Sequence, residues 1–165
     1  MSWTIEQYRQ HLSKGLEKKD TPARRAKVSP RKSALKSCDR DFSLLMRAKE
    51  ANYAGLVKCC TCPKLMPWKG TGEAHWGHWQ SRGFNSTRWN PINGGVQCRE
   101  CNTYLEGRKA DMERYLIGRY GEADVRKVEA FSRLSVKYSE FELNQMALQF
   151  REELKQIVKD KNLTP

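Results

Sequence analysis

Two cysteine pairs of identical spacing, Cys59-x2-Cys62 and Cys98-x2-Cys101, constrain this chain more than any other feature. Each spacing suits a tight turn, and two such turns can present four thiolates to one tetrahedral Zn²⁺. Cys60 adjoins the first pair, but only Cys59 with Cys62 reproduces the spacing of the second, which leaves Cys60 and Cys38 as free thiols. The opening residues Met1-Ser2-Trp3-Thr4-Ile5-Glu6 carry no apolar core of an export signal, so the cysteines favour metal over disulfides. A structural zinc contributes about 10–16 kcal/mol of apparent folding free energy, comparable to the whole stability of an ordinary domain. Such an ion would pin both ends of the segment between the pairs. That segment holds two of the chain's three histidines, His75 and His78, and Asn102 follows the last cysteine directly.

At 165 residues the chain suits one compact domain with an arm, and no apolar run reaches the roughly 18 residues of a membrane span. The net charge is +12 and unevenly placed. Residues 1–37 hold ten Lys/Arg against three acids and residues 58–110 hold eight against three. Residues 38–57 balance at three each, and 111–165 at ten each. Charge clustered on an arm and on a metal-binding region points to a polyanionic partner, because each phosphate neutralised by Lys or Arg releases counterions.

Local patterns predict mostly helices. Ser2 can cap a helix over residues 3–19, and Thr21 to Lys32, with two prolines and five cations, reads as an extended basic linker. Asp39 or Asp41 can cap a second helix through about Asn52. Leu56-Val57-Lys58 leads as a short strand into the first cysteine pair, and Glu73 to Gln80 forms another. Asn93-Gly94-Gly95 is a turn signal. Helices follow over residues 108–119, with Met112, Tyr115 and Leu116, and from Glu122, with Val125, Val128, Phe131 and Leu134. The last begins at the capping box Ser139-x2-Glu142 and carries Leu143, Met146, Ala147, Phe150, Leu154, Ile157 and Val158 at helical spacing, for a core or an interface.

The run Gly77-His78-Trp79-Gln80-Ser81-Arg82, then Thr87-Arg88-Trp89-Asn90, Asn93, Gln97 to Asn102 and Glu106-Gly107 resembles phage NinG/Rap recombination proteins. Arg119-Tyr120-Gly121 continues the likeness, which covers about residues 56–130. More distantly the chain is similar to the HNH (ββα-metal) nucleases, including junction resolvases of the endonuclease VII type. The resemblance implies a general base at His78, a loop-steadying asparagine at Asn93 and a metal ligand at Asn102. HNH nucleases often place an acid just before the catalytic histidine, and here that neighbour is Gly77. His75 is the best substitute ligand and Glu73 a weaker one; an imidazole ligand favours Mn²⁺ over Mg²⁺. Arg82, Arg88, Arg99, Arg108 and Lys109 are candidate phosphate contacts. Trp76, Trp79 and Trp89 either stack on unpaired bases or pack the small domain, and Glu106 either assists the metal or caps a turn.

The expected architecture is α+β and helix-rich: a zinc-stapled ββα-metal, HNH-like core with flanking helices. Residues 1–37 form a basic arm, 38–121 the nuclease core, and 122–165 a helical region offering a dimer surface. The expected function is metal-dependent, structure-specific cleavage of branched DNA (Holliday junctions, D-loops or flaps) in phage recombination. It would use a structural Zn²⁺ and a catalytic Mg²⁺ or Mn²⁺. The partners would be DNA, a second copy and recombination proteins, in the cytoplasm of the host. The rival readings are a non-catalytic zinc-finger DNA-binding protein and an HNH nuclease of defence or homing type.

Overall fold

A computed structural model describes residues 29–70 and 72–163. The helix expected over residues 3–19 and most of the basic linker lie outside the described residues. The element order is α1 (Pro30–Glu50), β1 (Leu56–Lys58), β2 (Leu65–Pro67), β3 (Ala74–His78), a 3-10 turn (Pro91–Asn93), β4 (Gly94–Cys98), a wide helical turn (Glu100–Tyr104), α2 (Lys109–Tyr120), α3 (Glu122–Ser132) and α4 (Glu140–Asp160). The class is α+β and helix-rich, as expected.

The first helix starts well before the Asp39 or Asp41 cap expected for it. Ser29 accepts a hydrogen bond from the Lys32 amide at 3.4 Å, and Pro30 supplies the fixed φ of a first helical residue. Pro30 to Lys32 are therefore a helix start and not linker, and the helix runs through the expected boundary at residue 37. Apolar spacing decides this: Ala34, Cys38, Phe42, Leu45 and Met46 form one buried stripe.

That stripe meets α4. Ser139 and Glu142 form the capping box, each side chain bonded to the other's backbone amide. Leu143 and Ala147 are fully buried, with Met146, Phe150, Leu154, Ile157 and Val158 packed against the same core. The apolar stripe offered for a dimer is thus used against α1 within the chain, and Phe141 and Leu148 are the large apolar residues of α4 left exposed. Lys161 closes the arrangement by donating to the carbonyls of Ala48, Lys49 and Ala51 at the end of α1.

Two antiparallel hairpins supply the sheets. β1 pairs with β2, and β3 pairs with β4 in the register His75 with Gln97 and His78 with Gly94. Gly94 and Gly95 are strand residues here and not the expected turn. A Cβ on Gly94 would lie 2.1 Å from the Gly77 carbonyl, so glycine permits a close strand approach. A second, smaller core gathers Trp79, Met112, Leu116, Val125 and Val128, with Cys60 and Tyr115 against it. Of the two residues expected to extend the buried stripe of α3, Leu134 lies beyond the helix, which ends at Ser132, and Phe131, inside it, is exposed. Among the described residues no helix is long and apolar enough to cross a membrane.

Burial separates two neighbouring side chains on α4. Leu143→Ala should lower unfolding free energy by about 2–5 kcal/mol, while the exposed Phe141→Ala should change it by under about 0.5 kcal/mol. Denaturant titration measures both, and equal losses would contradict the assigned face of the helix.

Candidate functional site

The cysteine cluster is assembled from both hairpins. Cys59 follows β1, Cys62 lies in the turn before β2, Cys98 ends β4, and Cys101 sits in the wide helical turn after it. Their four sulfur atoms lie within 4.8 Å of one another. Cys62 and Cys98 sulfurs are 3.8 Å apart, the separation a tetrahedron of about 2.3 Å bonds requires. The amides of Cys98 and Cys101 donate to the sulfurs of Cys59 and Cys98 at 3.3 and 3.4 Å. Burial alone would raise the Cys59 thiol, but hydrogen bonds from the Thr61 side chain and the Cys98 amide outweigh it and bring the thiol down to about 7. Four converging sulfurs, with amides aimed at two of them, fit a structural zinc, and these residues could hold one. Cys60 points elsewhere, 3.7 Å from the Met112 sulfur, and burial raises its pKa.

Beside this cluster lies a cleft of about 820 Å³ lined by His75, His78, Asn102 and Glu106, together with the cations Arg47, Arg82 and Lys109. His78 ends β3, and its Nε2 lies 2.8 Å from the Arg88 carbonyl. A carbonyl only accepts, so Nε2 carries the proton and Nδ1 keeps its lone pair. Burial is the largest effect on the ring and lowers its pKa to about 4. At neutral pH His78 is therefore an uncharged imidazole whose Nδ1 has no hydrogen-bond partner among the described residues.

The Arg88 carbonyl is itself held. Arg88 forms a two-point ion pair with Asp39 on α1, at 2.7 and 2.5 Å, and donates to the Arg82 carbonyl at 2.8 Å. Trp89 adds a third bond to Asp39 at 3.1 Å. Asn93 is fully buried and clasps the intervening loop: its side-chain oxygen accepts from the Gln80 amide, and its nitrogen donates to the carbonyls of Gln80 and Thr87.

His75 and Asn102 are brought together. The His75 Nε2 lies 2.8 Å from the Gly72 carbonyl, which leaves Nδ1 as an acceptor facing the Asn102 amide nitrogen at 3.2 Å. Glu73, the weaker substitute ligand, pairs with Lys64 at 2.8 Å and borders a separate groove with Arg99. Asn102 lies in the wide helical turn before α2 and not at the start of α2 itself.

The cationic candidates divide by geometry. Arg82 and Lys109 line the cleft, although Lys109 also donates to the carbonyls of His78 and Trp79. Arg88 is engaged by Asp39, and Arg108 donates to the Thr61 carbonyl and pairs with Asp111. Arg99 lies over the Tyr104 ring, outside the cleft. Trp76, Trp79 and Trp89 are each less than a tenth exposed and pack the cores. Asp39, expected only as a helix cap, and Arg47 were not singled out as site residues from the sequence, since both belong to a stretch of balanced charge and their partners are distant in the chain.

The model of the bacteriophage lambda NinG protein family matches residues 4–160, nearly the whole chain. The chain belongs to that family. NinG is a phage family associated with recombination. Comparison with curated proteins and with solved structures gave no match.

The low pKa of His78 has a consequence for stability. The folded group sits at about 4, below the roughly 6.5 of a free imidazole. As pH falls between these values the unfolded chain binds a proton that the folded one does not, so stability present above about 6.5 is lost toward pH 4. Thermal melts of wild type and His78→Gln across this range should show the wild type losing stability more steeply. Parallel curves would contradict the buried, neutral assignment.

Proposed function

We propose that this chain is a metal-dependent endonuclease that cuts branched DNA in phage recombination. The observation that carries the reading is His78: a neutral imidazole on a cationic cleft, locked by one nitrogen to a braced carbonyl, with the other nitrogen unpartnered among the described residues. The cleft's cations suit the negative charge of a DNA backbone. The β3–β4 hairpin followed by helical segments carries His78, Asn93 and Asn102 in the order of an HNH-like ββα unit, which supports that reading of the core.

Phosphodiester hydrolysis needs a proton acceptor for the attacking water. His78 Nδ1 takes that proton as the water oxygen bonds to phosphorus; the bond from phosphorus to the leaving oxygen breaks, and the departing oxygen is protonated by solvent. Arg88, through its carbonyl, keeps the ring oriented, and Asn93 keeps the loop carrying Arg88 in place. His75 Nδ1 and Asn102, which hydrogen-bond each other through the amide nitrogen, would hold a divalent ion once the Asn102 amide turned its oxygen toward it, and a nitrogen ligand suits Mn²⁺ better than Mg²⁺. Such an ion supplies charge stabilisation at the leaving oxygen when bound. Cutting two symmetric strands of a junction calls for two such sites, hence a homodimer, for which exposed Phe141 and Leu148 offer apolar surface.

Replacing His78 with Ala should reduce cleavage of a four-way junction by at least about 10²-fold, with zinc content and DNA affinity retained. Single-turnover assays over linear, flap and junction substrates measure this. Cleavage at the wild-type rate would remove the nuclease mechanism and leave a DNA-binding zinc protein.

A further inference from the structure

Arg47 lies in the last turn of α1, within a stretch of balanced charge, and no motif draws attention to it. Its guanidinium is nevertheless among the most firmly placed groups in the cleft. Nε donates to the Ser43 carbonyl at 3.1 Å, and one terminal nitrogen donates to the carbonyls of Trp68 at 3.0 Å and Ala74 at 2.9 Å. These bonds fix the plane of the fork and tie the helix to the approach and start of β3. The other terminal nitrogen, Nη2, has no hydrogen-bond partner among the described residues.

Three carbonyls satisfy donors but do not neutralise a charge. Among the described residues no carboxylate pairs with Arg47. Asp39, an acid on the same cleft, already has both oxygens engaged by Arg88, one of them also by Trp89. The side chain is half-buried, and burial lowers its pKa, which is the mark of a cation partly stripped of water. A desolvated cation held rigidly without a counter-ion favours an anion at its open edge. Its neighbours on the cleft wall are His75, His78 and Asn102.

We propose that Arg47 binds a phosphate of the DNA backbone in this cleft, through Nη2. The proposal rests on the reading that the cleft takes DNA, but not on cleavage. Guanidinium and phosphate oxygen form short, charge-assisted hydrogen bonds, and a fork already fixed by three carbonyls loses little further freedom on binding. The contact is electrostatic and independent of base sequence.

The test uses the full-length, zinc-loaded protein, with no added Mg²⁺ or Mn²⁺, and a fluorescent four-way junction titrated over a range of salt. Arg47→Gln retains an amide donor for a carbonyl and removes the charge; Arg47→Lys retains the charge and removes the fork. We expect Arg47→Gln to weaken binding and to lower the slope of log affinity against log salt by about one, and Arg47→Lys to keep the wild-type slope. A purely structural arginine would shift the melting temperature of both variants and leave both slopes unchanged, and an unchanged Arg47→Gln slope overturns the proposal. Should that variant not fold, ¹⁵N spectra of arginine-labelled wild type decide: the Arg47 guanidinium signals must shift when the junction is added, and static signals overturn it. Wild type that binds but never cuts, even with Mn²⁺, removes the nuclease reading and leaves this contact to be judged by its slope. Wild type with no salt-dependent DNA binding removes both.

Discussion

Four sulfur atoms from chain segments 39 residues apart sit in one cluster, and the placement of the two hairpins depends on it. The β1–β2 hairpin is three residues long on each side, and β3–β4 is five. Hairpins this short are marginal alone in water. A metal held by both would join them with about 10–16 kcal/mol of apparent folding energy, on the scale of an entire small domain's stability. Cys98 ends the strand paired with β3, and Cys101 opens into the turn that carries Asn102. Fixing these two cysteines therefore fixes the floor of the cleft.

The walls come from elsewhere. α1, packed against α4, contributes Asp39 and Arg47, one holding the Arg88 that orients His78 and the other crossing to the Trp68 and Ala74 carbonyls. The second core, under α2 and α3, holds Trp79 next to His78 and leads Lys109 across to the same strand end. The side chains that line the cleft are thus braced from more than one layer. His78 is restrained at one nitrogen and, among the described residues, unpartnered at the other, which suits a proton acceptor that must keep its direction without being charged.

Much of this was legible because it is local. Cysteine spacing and the Ser139–Glu142 capping box are read within a few residues, and both appear where expected. The start of α1 was misjudged because basic residues and prolines around Ser29 resemble a linker, although the same Ser-Pro pair caps a helix. Gly94-Gly95 resembled a turn, because sequence does not distinguish a glycine needed for left-handed backbone from one needed for close strand approach. The Asp39–Arg88 pair spans 49 residues, and the Arg47 contacts span 21 and 27. No periodicity records such meetings; only packing does.

The central claim is that one zinc ion, held by the four clustered thiolates alone, supports this site while His75 remains available in the cleft. X-ray absorption at the zinc edge of purified protein tests it most directly. The account predicts one zinc per chain with four sulfur neighbours at about 2.3 Å and no imidazole scattering. A zinc-free folded protein, or a zinc shell that includes histidine nitrogen, would contradict it.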